Sequence, residues 1–136
     1  MILSESVYAY LAGIVDGEGH IGVYGKRTVV LEVSMCHLPT IEWLALTFGG
    51  AIYTPVVPRE NARQYWKWSL PAGGLREHLP HVLPFSITKK EHIQIALELL
   101  ELRAVRLGPI RNQPERQDEL TVRLREINRR GRQNSA

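Results

Sequence analysis

Leu11-Ala12-Gly13-Ile14-Val15-Asp16-Gly17-Glu18-Gly19 is the stretch whose reading decides the fold. It lies in a helical pattern. From Ser6 to Asp16 the apolar residues Val7, Leu11, Ile14 and Val15 recur at α-helical spacing, and Ser4 or Ser6 can cap the start. A second row, Ala9, Ala12, Gly13 and Asp16, falls on one face at i, i+3, i+4 and i+7 and is made of small residues. Gly13 inside a helix costs about 1 kcal/mol relative to alanine, so the position wants a packing reason. Close approach of another helix supplies one, which makes Ala9, Ala12, Gly13 and Asp16 the candidate helix–helix contact. Gly17 and Gly19 then end the helix.

Beyond Gly19 the period changes to two. Ile21 and Val23, then Val29, Leu31 and Val33, face one way around a Gly25-Lys26-Arg27 turn. The opposite face carries His20, Tyr24, Lys26, Thr28, Val30, Glu32 and Ser34. Pro39 suits the first turn of a second helix over 39–48, stopped by Gly49-Gly50. Two further strands over 51–57 and 64–70 flank a loop that contains Arg59 and Arg63. In the last strand Trp66, Trp68 and Leu70 share one phase, and Tyr65, Lys67 and Ser69 the other. A short helix follows over 74–80. Thr88-Lys89-Lys90-Glu91 has the form of a capping box opening a helix with Ile93, Ala96, Leu97 and Leu100 on one stripe. Lys89 and Lys90 in its first turn oppose the helix dipole, and local choices that disfavour stability often mark function.

Gly108-Pro109 and Pro114 precede a last helix with Leu120, Leu124 and Ile127 inside, and from Arg129 a basic tail, including 131–136, is expected to be disordered. The order αββαββα plus a final helix, with antiparallel hairpins, predicts an α+β fold in which helices pack on one face of the sheet. With 136 residues and 44% hydrophobic content the chain is one domain, 1–136.

No apolar run approaches the roughly 20 residues that span a bilayer, and no basic-then-apolar leader opens the chain, so the expectation is a cytoplasmic, nucleoid-associated protein without a membrane partner. The lone Cys36 has no partner for a disulfide or at zinc spacing. The net charge of +3 is uneven: nine arginines face four acids from Leu102 onward, against eight basic and ten acidic residues before it. That admits a polyanionic partner. Gly17-Glu18-Gly19-His20-Ile21-Gly22 spells GxGxxG, but a dinucleotide site needs a strand before it and a helix after it, the reverse of this order. Asp16-Gly17-Glu18 lacks the later ligands of a calcium loop. His78 and His81, separated by Leu79-Pro80 and expected to have no carboxylate nearby, read as structural.

Residues 11–19 resemble the LAGLIDADG motif of homing endonucleases, with identity at Leu11, Ala12, Gly13, Asp16 and Gly19 and conservative residues at the other four positions. The following hairpin, the helix ending in Phe48-Gly49-Gly50, and the segment 83–91 resemble the family in the same order, so the likeness covers roughly residues 7–102. It implies a saddle-shaped antiparallel sheet and a site-specific double-strand DNA endonuclease, encoded within an intron or by a free-standing gene. With one motif it implies a homodimer on a near-palindromic site, with the motif helices packed together. Glu18, at the motif's penultimate position, would be a catalytic metal ligand, assisted by the Gly19 carbonyl; the ion would be Mg²⁺ (or Mn²⁺). Lys89 matches a lysine near the family's active site.

Where many members place Gln or Asn at the end of the second strand, this chain has Met35, followed by Cys36 and His37. Either His37 or a neighbour supplies the polar group, or the site is impaired. The polar sheet face would read DNA, with His20, Tyr24, Lys26, Thr28, Glu32, Arg59, Arg63, Tyr65 and Lys67 as candidates; Arg59 and Arg63 could equally bind phosphates. The C-terminal arginines either do the same or form a salt-bridged helix. A non-cleaving protein of the same fold, an RNA maturase binding intron RNA or a DNA-binding regulator, is the rival reading.

Overall fold

The computed structural model describes residues 3–25, 28–57, 60, 62–104 and 113–134. The sequence places candidates at Lys26 and Arg59, which lie outside them. Helix α1 (Glu5–Glu18) starts at Ser4, whose hydroxyl accepts from the Val7 amide at 3.3 Å. It then runs through Gly17 to Glu18, two residues beyond the expected end at Asp16, and stops at Gly19. Only glycine fits there, because a Cβ would lie 2.7 Å from the Val15 carbonyl oxygen. The chain turns directly into β1 (Gly19–Tyr24) and β2 (Thr28–Met35).

Helix α2 (Leu38–Phe48) leads through Gly49 and Gly50 into β3 (Ala51–Tyr53) and β4 (Trp66–Leu70). Gly50 has φ +90°, and a Cβ on it would lie 2.4 Å from the Ser69 carbonyl oxygen, so that corner demands glycine. Helix α3 (Ala72–Val82), a 3₁₀ turn at Leu83–Phe85, α4 (Lys90–Ala104) and α5 (Pro114–Asn134) complete the order. The strands form one antiparallel sheet in the order β1-β2-β4-β3.

The register bears out the period-two reading. Ile21 pairs with Leu31 and Val23 with Val29, and across the next seam Leu31 pairs with Leu70 and Val33 with Trp68. This face meets Tyr8, Leu11, Ala12 and Val15 of α1, Ile41, Leu44 and Phe48 of α2, Leu75 and Leu79 of α3, and Ile93, Ala96 and Leu99 of α4 in one core. Each large aliphatic side chain so buried contributes roughly 1.5–3 kcal/mol. Trp68 is fully buried and satisfies its indole N–H on the Gly49 carbonyl at 2.8 Å.

Helix α5 buries Leu120, Leu124 and Ile127 as the spacing predicts, and it covers the edge strand β1. Asn128 donates to the Ile21 carbonyl (2.9 Å) and Arg125 to that of Gly25 (3.1 Å), which blunts an exposed strand edge. Residues 129–134 continue this helix where a disordered tail is expected. Among the described residues, no helix is long and apolar enough to cross a membrane.

Candidate active site and nucleic-acid interface

The end of α1 organises the site. Asp16 accepts hydrogen bonds from Ser86 Oγ (2.6 Å) and from the backbone N–H groups of Ile87 (2.7 Å) and Lys89 (3.2 Å), while its own carbonyl accepts from Thr88 Oγ1 at 3.1 Å. Burial works against its charge, but the hydrogen bonds outweigh burial and hold the carboxyl below its ordinary value. The capping box expected at Thr88–Glu91 therefore does not form. Thr88 is turned to Asp16, Glu91 pairs with Arg123 at 2.8 Å, and α4 starts at Lys90. The charged Asp16 carboxylate, from a distant helix, instead accepts from the Ile87 and Lys89 amides just ahead of α4, and hydrogen bonds to an ionised acceptor are the stronger kind.

Two of the four residues assigned to a helix–helix contact need correction. Asp16 is committed to this latch within the chain, and Ala12 is wholly buried in the chain's own core, where its small size admits close packing. Ala9 and Gly13 do lie on an exposed face, with Tyr10 and Gly17 beside them. Among the described residues a Cβ at Gly13 or Gly17 would meet nothing within 4 Å, so no described contact requires a glycine at either place.

Glu18 projects from the next position along and is exposed. It lines an open concavity of about 500 Å³ with Ser34, Met35, Cys36, His37, Arg63 and Tyr65. Met35 is half-buried against the core, and the polar groups around Glu18 come from its neighbours; His37 is itself tied to Thr40 through Nδ1 at 2.7 Å. Among the described residues no three histidine, cysteine or acidic side chains converge to hold a metal ion. Lys89 lines a second concavity, of about 440 Å³, with Asp16, His20, Thr88, His92 and Asn128. Burial pushes the His92 imidazole below its ordinary value, and the charges of Lys89 and His20 act in the same direction. Glu18 and Lys89 thus open onto two hollows at the same helix end, joined by the Asp16 latch.

The remaining interface candidates sort by position. Arg63 and Tyr65 face Glu18, and His20 lies with Lys89. Tyr24, Glu32 and Lys67 form a network on the open sheet face, where Thr28 pairs with Tyr24. His78 is buried, with the Tyr8 hydroxyl 2.9 Å from Nδ1, and His81 stacks on Tyr8, as a structural role expects, although a carboxylate does lie nearby, with Glu77 Oε2 3.7 Å from His78 Nε2. The C-terminal arginines resolve toward a salt-bridged helix: Arg116 pairs with Glu98, Arg123 with Glu91 and Arg130 with Glu126.

No family model matches the chain, and no curated protein matches it. Solved structures do. The archaeal intron-encoded homing endonuclease I-Vdi141I, in complex with DNA, aligns with a TM-score of 0.66 over 90% of this chain and 84% of its own, at 15% identity. The homing endonuclease I-CvuI, with DNA and magnesium, aligns with a TM-score of 0.55 over 88% of this chain and 96% of its own, at 18% identity. The chain has the LAGLIDADG homing-endonuclease fold. I-SmaMI, bound to uncleaved DNA with calcium, aligns with a TM-score of 0.60 over 88% of this chain but 44% of its own, at 19% identity.

Within that fold the sequence missed His92 and Asn128. His92 reads as one more residue of an amphipathic helix, and only the packing of α5 beside α4 and β1 brings Asn128 to the Lys89 hollow. Residue spacing carries no signal for that meeting. Ser34 was visible as a polar-face residue, and its place beside Glu18 follows from the strand phase.

Proposed function

We propose that this protein is a site-specific, intron-type DNA endonuclease that acts as a homodimer on a near-palindromic duplex. The observation that carries the reading is the end of α1: an exposed Glu18 that pairs with no described residue, beside a helix face at Ala9, Gly13 and Gly17 that is exposed among the described residues. Pairing two such faces brings two Glu18 carboxylates toward one axis, and a two-fold dimer reads a palindrome. The chain covers most of I-Vdi141I and I-CvuI but under half of I-SmaMI, which agrees with one motif per chain.

Hard oxygen donors fit a magnesium or manganese ion: the Glu18 carboxylate, the Gly19 carbonyl and DNA phosphates. When bound, such an ion supplies an acidified water and neutralises charge on phosphate oxygens. Glu18 holds it. Lys89, fixed at its backbone by Asp16, places a cation that stabilises negative charge developing at the scissile phosphate. Arg63 and the basic groups of the sheet face contact the duplex. The protein would act in the cytoplasm on nucleoid DNA.

A second reading rests on Met35. Its thioether beside Glu18 offers no hard oxygen donor, as a non-cleaving DNA-binding regulator or an intron-RNA maturase would tolerate. Cleavage selection from a library of duplex DNA in Mg²⁺, with Glu18→Gln as control, separates the two. Cut ends enriched around a palindrome, absent with the variant, support the endonuclease. Retention of one sequence without cutting supports the regulator, and, in a parallel selection from an RNA pool, retention of RNA with no duplex retained supports the maturase.

A further inference from the structure

We infer that Tyr24, Glu32 and Lys67 form a reader of one G·C base pair, in which Glu32 positions, Lys67 donates to guanine and Tyr24 accepts from cytosine. The inference rests on the DNA-binding reading above. The three residues come from the adjacent strands β1, β2 and β4 and lie on the polar sheet face. The Glu32 side chain is only 13% exposed, and both its oxygens are engaged: Oε1 accepts from the Tyr24 hydroxyl, and Oε2 lies 3.6 Å from Lys67 Nζ. Glu32, a candidate base contact by sequence, is therefore committed to its neighbours.

Directionality follows from that commitment. Tyr24 directs its only proton to Glu32, so its outward oxygen presents lone pairs. The hydrogen bond to Glu32, with burial and the carboxylate charge adding to it, pushes the phenol up to about 12, so the hydroxyl keeps its proton at neutral pH. Tyr24 is half exposed, and Lys67 keeps three N–H donors beside a carboxylate at ion-pair distance. The site thus presents a donor cluster and an acceptor flanking one fixed carboxylate. In the major groove a G·C pair offers two adjacent acceptors, guanine N7 and O6, and then the cytosine amino donor; in A·T the donor lies between two separated acceptors. A lysine facing two adjacent acceptors with an acceptor beside it matches G·C.

The test is selection of bound sequences from a randomised duplex pool with Ca²⁺, using the full chain and the variants Tyr24→Phe, Lys67→Met and Glu32→Gln. The wild type should select a G·C pair in each half-site. Tyr24→Phe and Lys67→Met should each relax that same position by about tenfold or more and leave the others unchanged. Glu32→Gln should weaken the same position, since it loosens both readers. Preference lost at different positions, at an A·T pair, or nowhere overturns the inference while DNA binding stands. Failure of the folded wild type to retain any duplex overturns the DNA reading and this inference with it. Thermal melting of each variant, expected to match the wild type within a few degrees, separates lost reading from lost folding.

Discussion

Asp16 and Glu18 stand two residues apart at the end of one helix, and they are used in opposite ways. Asp16 receives three hydrogen bonds from residues 86–89, and its carboxyl is held below the ordinary range. Glu18 has no hydrogen bond or ion pair with any described residue and faces an open hollow. One carboxylate is satisfied by the protein, so it fixes structure; the other keeps its oxygens available, so it can act on something outside the chain. The difference also shows how the site is assembled. The saturated carboxylate ties the unsaturated one to Lys89, 71 positions beyond Glu18 in the chain.

The largest effect should come from the free carboxylate. Glu18→Gln keeps size and polarity but removes the charge, and cleavage should fall by at least about a thousandfold. Duplex affinity, measured by titration in Ca²⁺, should change only a few-fold. Cutting at the wild-type rate would remove Glu18 from the metal assignment and leave the comparison without its functional half.

Gly13→Leu probes the exposed face of α1 that precedes the two carboxylates. A Cβ at Gly13 meets nothing within 4 Å among the described residues, and the position is exposed, so the fold should tolerate the change. A dimer built on that face would not. Sedimentation should show a monomer with an unchanged circular dichroism spectrum, and a persistent dimer would move the interface elsewhere.

Asp16→Ala removes the acceptor for three donors and should cost about 1–3 kcal/mol in denaturant unfolding. Because the same carboxylate holds the Lys89 backbone, cleavage should fall further than the folded fraction does. Equal losses would reduce Asp16 to a stability residue.

The contrast between these residues also marks what the sequence could show. The α1 pattern, the first hairpin and the strand phases of β1, β2 and β4 were legible, because periodicity 3.6 against 2 is a local property, and Ile21 and Leu31 face the core as their alternation requires. The strand expected over 51–57 is shorter, since only Ala51–Tyr53 finds partners on β4, which itself begins at Trp66 and not at residue 64. The role of Asp16 was not legible. Its partners lie about 70 positions away, and an acidic residue in a row of small ones looks like part of that row. Ala12 misled for a related reason: alanine suits a tight core and a tight interface equally, and only the rotation of α1 decides which. Thr88 and Glu91 have capping spacing, yet Asp16 and Arg123 provide longer-range partners that win. Glu18 and Lys89 were visible through the motif and its surroundings, while the hollow each one faces depends on how strand ends and α5 pack.

The smallest effect is the acid limb of stability, and its sign follows from Asp16. The folded chain holds this carboxyl below its ordinary value, so the folded state binds its proton less readily than the unfolded state does. The stabilisation is therefore fully present above the unfolded carboxyl range near pH 4 and is lost as pH falls through the lower folded value. Other acids titrate in the same window, so the informative quantity is the difference between wild type and Asp16→Asn. Asparagine keeps one carbonyl acceptor but cannot change charge, and the wild-type advantage in unfolding free energy should be constant at neutral pH and narrow below about pH 4. Urea titrations from pH 6 down to the acid transition measure that gap directly. A gap that stays constant would mean that the latch holds through its geometry alone, whereas a gap that closes shows that the charge on Asp16 keeps Lys89 in place.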